Sequence, residues 1–291
     1  MTRVIAVANQ KGGVGKTTTS VNLSASLAMS GGRVLLVDLD PQGNATMGTG
    51  VDKNGVENTI YEWLLEDAPL SQVVQKCNGS FELVPSNLDL TAAEVSLMQM
   101  AEREYQIRNR LQKEATEYEY VIIDCPPSLS ILTVNALIAA DGVLIPMQCE
   151  YYALEGLSAL LDTIEGIKSH SNAELKVEGI LRTMYDPRNG LTRDVSRQLI
   201  QYFSDQVFRT VIPRNVRLAE APSHGLPAIL YDRASRGAVA YMALAGELRQ
   251  KHEREARLMS HQNSELPTAN ESADSEPNTE VRSDLNTDRD L

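Results

Sequence analysis

Aromatic side chains make up only 5% of the 291 residues, with a single tryptophan, and cysteine occurs three times. Cys77, Cys125 and Cys149 are odd in number and widely spaced, so they form neither a disulfide framework nor a zinc-ligand pattern, and they read as buried thiols. No stretch approaches the roughly 20 uninterrupted apolar residues of a membrane-spanning helix, and the first apolar run, residues 4–8, is too short for a signal peptide. A cytoplasmic location is therefore expected. Positive charge is also scarce: 27 Lys and Arg face 39 Asp and Glu, a net charge of −12, which excludes a protein that coats nucleic acid by its overall charge. The four histidines, His170, His224, His252 and His261, show no ligand spacing and receive no catalytic role.

What is plentiful is apolar material, 42% of the chain, enough for one large domain. From residue 260 onward the composition changes: eight carboxylates face two arginines among Ser, Asn and Pro, half of the net charge in the last 32 residues, with no apolar periodicity. Such a segment buries too little surface to offset its ordering entropy, so residues 260–291 are expected to be a disordered acidic tail and residues 1–259 the folded domain. Within that domain, short β-branched runs at 3–8, 33–38, 81–85, 120–124, 142–147, 177–184 and 207–211 read as strands. Helical stretches read at 17–30, 88–115 (broken near Met100), 131–139, 153–170, 191–204 and 235–259. The runs are apolar throughout rather than alternating, as strands covered on both sides require. The expected class is α/β: a mainly parallel twisted sheet with helices on both faces.

The strongest chemical signal is Lys11-Gly12-Gly13-Val14-Gly15-Lys16-Thr17-Thr18, between the first strand and the first helix. Glycines let the backbone turn its N–H groups toward an anion, and the helix amino end adds partial positive charge. The lysine then reaches the β- and γ-phosphates and the hydroxyl ligates Mg²⁺. Those roles fall on residues 12–15, Lys16 and Thr17. The ordinary phosphate-loop pattern wants a glycine where Gln10 stands, and Lys11 is an additional lysine.

That variant resembles the deviant Walker A motif of the ParA and MinD class of P-loop ATPases. Asp38-Leu39-Asp40-Pro41-Gln42-Gly43-Asn44 resembles the family's second motif, and Val121-Ile122-Ile123-Asp124-Cys125-Pro126-Pro127 its Walker B strand. The stretches 148–156 and 211–225 resemble segments of the chromosomal, Soj-type ParA partition ATPases. The resemblance implies ATP and Mg²⁺ as ligands, with Asp40 orienting the attacking water and Asp38 and Asp124 holding Mg²⁺ through water beside Thr17. It implies adenine contacts from Met184, Pro213 and Asn215. It also implies a homodimer that sandwiches two ATP molecules, Lys11 reaching the partner's phosphates in trans.

Residues 182–217 hold seven arginines against three aspartates, a local +4 in an acidic protein. With the resemblance, this implies ATP-dependent binding of non-specific nucleoid DNA, with Arg188 and Arg217 as contacts, and a ParB-type centromere-binding partner that stimulates hydrolysis. The first strand starts at about residue 3, so no operator-binding module is expected ahead of it. The alternative is a MinD-like, membrane-associated division-site regulator. It is disfavoured because residues 247–259 have too few large apolar residues for a membrane-binding face, and the acidic tail would be repelled by anionic lipid. A bridging iron–sulfur cluster is disfavoured as well, since Cys125 and Cys149 lie inside other motifs.

Overall fold

A computed structural model describes residues 2–264. In chain order the elements are β1 (Arg3–Val7), α1 (Lys16–Met29), β2 (Val34–Asp38), α2 (Asn44–Gly48), α3 (Ile60–Leu65), α4 (Leu70–Val73), β3 (Gln75–Lys76), β4 (Glu82–Val84), α5 (Leu90–Leu97) and α6 (Gln106–Glu114). There follow β5 (Tyr120–Asp124), α7 (Ile131–Ala139), β6 (Gly142–Gln148), α8 (Ala153–His170), β7 (Lys176–Tyr185), α9 (Gly190–Phe203), β8 (Val207–Pro213), α10 (Val216–Glu220), α11 (Ala228–Tyr231) and α12 (Arg236–Ser264). The chain divides into a compact unit, Met1–Gln250, and a second, Lys251–Leu291, whose described part is the carboxyl-terminal portion of α12. Most of the expected acidic tail, from residue 265, lies outside the described residues, and α12 runs five residues past the expected boundary at 259.

Eight strands form one sheet in the order β3-β4-β2-β5-β1-β6-β7-β8, parallel except for the two-residue edge strand β3. All the expected strands are present. Their continuous apolar character has its cause in two separate cores: in β1, Val4 and Ala6 join one, Ile5 and Val7 the other. The first core receives Trp63 of α3, Leu90 of α5, Leu132 of α7 and Leu157 of α8. The second receives Leu23 and Leu27 of α1 with Tyr241, Leu244 and Leu248 of α12. Residues of the central strands thus face one apolar layer or the other, which is the condition for a parallel sheet.

The helical stretch expected over 88–115 with a break near Met100 is two helices, α5 and α6, separated by residues 98–105, so the break lies where it was expected. The segment 58–74, outside every helical stretch expected from the sequence, holds α3 and α4; Thr59 and Glu62 form a reciprocal capping box at the start of α3. All three thiols are free. Cys125 and Cys149 are buried, and burial pushes the Cys149 thiol up to about 11, whereas Cys77 is only half-buried.

Asn172, just past α8, spends its amide on the end of α7: Nδ2 donates to the carbonyls of Leu137 (3.2 Å), Ile138 (3.0 Å) and Ala140 (2.8 Å). These are carbonyls that a helix end cannot satisfy internally. Asn172→Ala leaves them buried without that donor, so a loss of about 2 kcal/mol in urea-unfolding free energy is expected.

Candidate functional site

The seven parallel strands deliver their carboxyl ends to one edge of the sheet, where ligands of open α/β folds bind. Along that edge runs a cleft of about 530 Å³ lined by Gly12, Gly13, Gly15, Lys16, Thr17, Thr18, Asp40 and Met184, with Val21, Gln42, Asn44, Pro127, Pro222 and Leu226 among the rest of the wall. The sequence-derived phosphate loop, Asp40 and Met184 are therefore brought together. Pro213 and Asn215 are not part of that wall; they lie at the end of β8 and just before α10, where Asn215 Oδ1 is buried with no hydrogen-bond partner among the described residues. Pro222 and Leu226, which sequence reasoning passed over, occupy the wall instead. They are carried there by a close backbone approach of Gly50 (φ +88°) and Gly225 (φ +63°), where a Cβ on Gly225 would lie 2.5 Å from the Gly50 Cα.

The loop itself is pinned from both sides. Gly15 (φ +90°) precedes the first residue of α1 in a left-handed conformation, which aims the loop across the helix amino end. Asn9 Nδ2 donates to the Pro146 carbonyl (2.8 Å) while its Oδ1 accepts from Lys11 N (3.0 Å), and the Thr183 hydroxyl donates to the Val14 carbonyl (2.8 Å). Next to Thr183, Met184 holds φ +47°, a strained value for a side chain of its size, where the β7–β8 register slips.

The two lysines differ. Lys16 is buried, its ammonium donates to the Lys11 carbonyl (3.3 Å), and burial lowers its pKa against the opposing pull of Asp124 and Asp40. Lys11 is absent from the cleft wall. Its ammonium pairs with Glu150 at 2.6 Å, with side chains 44% and 52% exposed.

Asp38 and Asp124 face each other in register at the ends of β2 and β5, and both are fully buried. Asp38 is saturated by its own chain: Oδ2 accepts from Thr46 N (2.8 Å) and Thr46 Oγ1 (2.7 Å), and Oδ1 from Asp40 N (3.2 Å). Asp124 accepts from the Ser20 hydroxyl at Oδ1 (2.8 Å), but its Oδ2 is buried with no hydrogen-bond partner among the described residues. Burial, reinforced by repulsion from Asp38, pushes the Asp124 carboxyl up; burial likewise raises Asp38, opposed by the Thr46 hydrogen bonds. An orphaned carboxylate oxygen beside a second carboxylate fits a cation. Among the described residues no cluster of three or more His, Cys, Asp or Glu side chains could hold a metal unaided, so water and ligand oxygens must complete the shell, as Mg²⁺ requires.

The arginine-rich segment is less free than its composition implies. Arg182 is buried and structural, donating to the Ser196 hydroxyl and to the Phe208 and Arg209 carbonyls. Arg188 is exposed; its guanidinium makes two hydrogen bonds to Asp186 (2.9 and 2.8 Å) and its backbone N–H a third (3.0 Å), holding that carboxyl down to about 2. Arg217 pairs with Glu220 (2.8 Å) and Asp232 (3.2 Å), and Arg197 with Asp194 (3.1 Å).

A family model described as an AAA domain matches residues 2–177. The chain is 52% identical over 249 residues to the sporulation initiation inhibitor protein Soj of Bacillus subtilis, covering 85% of this chain and 98% of that one. It is 53% identical over 247 residues to the chromosome partitioning protein ParA of Myxococcus xanthus, covering 84% and 87%. Among solved structures it is similar to a Mycobacterium smegmatis protein crystallised as cobyrinic acid a,c-diamide synthase with bound ADP and magnesium: 40% identity, TM-score 0.77, 87% of this chain and 96% of that one.

Because the folded state keeps a proton on Asp124 that the unfolded chain has released, the ligand-free protein is favoured at low pH and loses that stability as pH rises through the raised value. Asp124→Asn is expected to flatten this slope and to raise the ligand-free thermal midpoint at pH 8 by several degrees, read by scanning calorimetry across pH.

Proposed function

The chain belongs to the ParA/Soj family of chromosome-partitioning ATPases and hydrolyses ATP with Mg²⁺, and on that premise we propose an ATP-timed DNA switch. In it, ATP joins two copies face to face, the pair binds nucleoid DNA without sequence preference, and hydrolysis, stimulated by a ParB-type partner, lets go. The observation that carries this reading is the division between the two lysines. Lys16 is inside the cleft beside the carboxylates, so it serves the β- and γ-phosphates of its own subunit. Lys11 stands at the rim on an exposed ion pair, and exposed pairs of this kind contribute little, so its ammonium is readily exchanged onto a phosphate of a second subunit.

Within one subunit, backbone N–H groups of Gly12, Gly13, Val14 and Gly15 cradle the phosphates, joined by those of Thr17 and Thr18 at the helix amino end. Thr17 would hold Mg²⁺ directly, and Asp124, with its unpartnered Oδ2, would hold it through water, with Asp38 adding negative charge behind. When bound, Mg²⁺ neutralises charge on the β- and γ-phosphates. Asp40 accepts a hydrogen bond from the attacking water and orients it. The water oxygen bonds to the γ-phosphorus as the bond to the β,γ-bridging oxygen breaks, giving ADP and inorganic phosphate. Met184 on the cleft wall, with Pro213 and Asn215 at the neighbouring strand end, contacts adenine.

Arg188 and Arg217 meet DNA phosphates by exchanging their carboxylate partners for the polyanion, and exposed ion pairs are weak enough for that exchange. Among the described residues no helix is long and apolar enough to cross a membrane.

The test is binding to an arbitrary duplex at several salt concentrations. With ATP, affinity is expected to fall steeply with salt, and Arg217→Ala to reduce the slope of log K against log salt by about 0.9 for each phosphate that is no longer neutralised. With ADP, or with Lys11→Ala in ATP, binding and dimerisation are expected to vanish together while nucleotide still binds. DNA binding indifferent to nucleotide overturns the reading.

A further inference from the structure

Asp40 is the group assigned to the attacking water, yet it follows β2 in a turn, outside the ladder that holds the strands. A displacement of about 1 Å in such a group costs on the order of 100-fold in rate. The structure supplies the fixing groups. The Asp40 N–H donates to Asp38 Oδ1 (3.2 Å), its carbonyl accepts from the Ser86 hydroxyl (2.9 Å) and from Gly43 N (2.8 Å), and its Oδ1 accepts from Gln42 N (2.9 Å). Its other carboxylate oxygen has no protein partner among the described residues and belongs to a residue of the cleft wall.

Behind this arrangement stands Thr46, in α2 and fully buried. Its N–H and hydroxyl both donate to Asp38 Oδ2, and the same hydroxyl oxygen accepts from Ser86 N (2.9 Å). One side chain thus orients the carboxylate that holds the Asp40 N–H and anchors the residue that holds the Asp40 carbonyl. We propose that Thr46 is a positioning residue for hydrolysis, acting through Asp38 and Ser86 to set the backbone from which Asp40 meets the water. This rests on the assignment of Asp40 above. The requirement is chemical: a hydroxyl donates and accepts at once, so serine satisfies the site, whereas isosteric valine leaves Asp38 one donor short and Ser86 N without its acceptor.

The experiment compares Thr46→Val, Thr46→Ser and Asp40→Ala with the unaltered full-length chain, reading kcat and KM for ATP, ADP affinity, affinity for ADP with aluminium fluoride as a mimic of the transferring phosphoryl group, and thermal midpoint. Thr46→Val is expected to lower kcat by about tenfold or more, with KM and ADP affinity within about twofold, and to weaken the aluminium fluoride complex in proportion; Thr46→Ser restores all of these. A folded Thr46→Val variant with unaltered kcat overturns the proposal. So does parallel loss of kcat, ADP affinity and thermal midpoint, which marks a merely structural role. Should Thr46→Val fail to fold, Thr46→Ala, which removes the hydroxyl without placing a methyl against Asp38, carries the same expectations. If Asp40→Ala itself leaves kcat unchanged, the assignment of Asp40 fails, an outcome separate from normal Asp40 behaviour with a silent Thr46.

Discussion

Everything at the functional edge answers to one electrostatic constraint: Asp38 and Asp124 end neighbouring central strands in register, fully buried, with their backbones locked by the β2–β5 ladder. Two carboxyls in that setting cannot both be charged without cost, and they cannot relax by moving apart, because moving either would break the ladder. The chain therefore surrounds them with donors, Ser20 on one and Thr46 with the Asp40 N–H on the other, and brings Lys16 alongside. The compensation is incomplete, since one oxygen of Asp124 is left over. On the proposed reading, a cation would complete it. A metal–nucleotide complex at this edge would then take the place of the proton that Asp124 keeps in the ligand-free fold, which links binding to pH and to folding stability.

The same constraint divides labour between the carboxylates. Asp38 has donors on both oxygens and works on its own chain, tying α2 and the Asp40 turn to the end of β2. Asp124 keeps a free oxygen and works outward. Neighbouring strands supply the remaining fixed points: Thr183 from β7 and the Pro146 carbonyl from β6 each reach the phosphate loop. The loop is consequently held by two strands besides β1, which leads into it, and its geometry is set before any ligand arrives, the preorganisation that phosphoryl transfer needs most.

Much of this was legible in the sequence, for a definite reason. Strands buried on both faces must be apolar at every position, so β1, β2, β5 and β6 announce themselves as unbroken runs; a phosphate loop needs glycine, lysine and hydroxyl at fixed spacing, so its residues are visible one by one. The chain was opaque where identity and environment separate. Arg182 counts as a positive charge in composition, yet it is buried and spent on carbonyls and a serine hydroxyl. The helices α3 and α4 are too short to show periodicity, although the Thr59–Glu62 capping box was there to be read. Thr46, Ser86 and Asn9 are small polar residues with no distinguishing signal until the fold brings them together, and Glu150 becomes interesting only through the lysine it holds.

On the proposed reading, the paired state of the surface arginines has a consequence for how the switch must be built. In a chain of net charge −12, Arg188 and Arg217 already have carboxylate partners, so a polyanion gains from each only the difference between two ion pairs. A single copy therefore binds DNA feebly, and useful affinity has to come from presenting two such surfaces at once, where the second contact is made at the high effective concentration set by the first. Tight control follows from weak contacts: because neither surface suffices alone, the step that assembles the pair controls DNA binding as a whole. A more basic surface would bind in every nucleotide state and leave ATP nothing to decide.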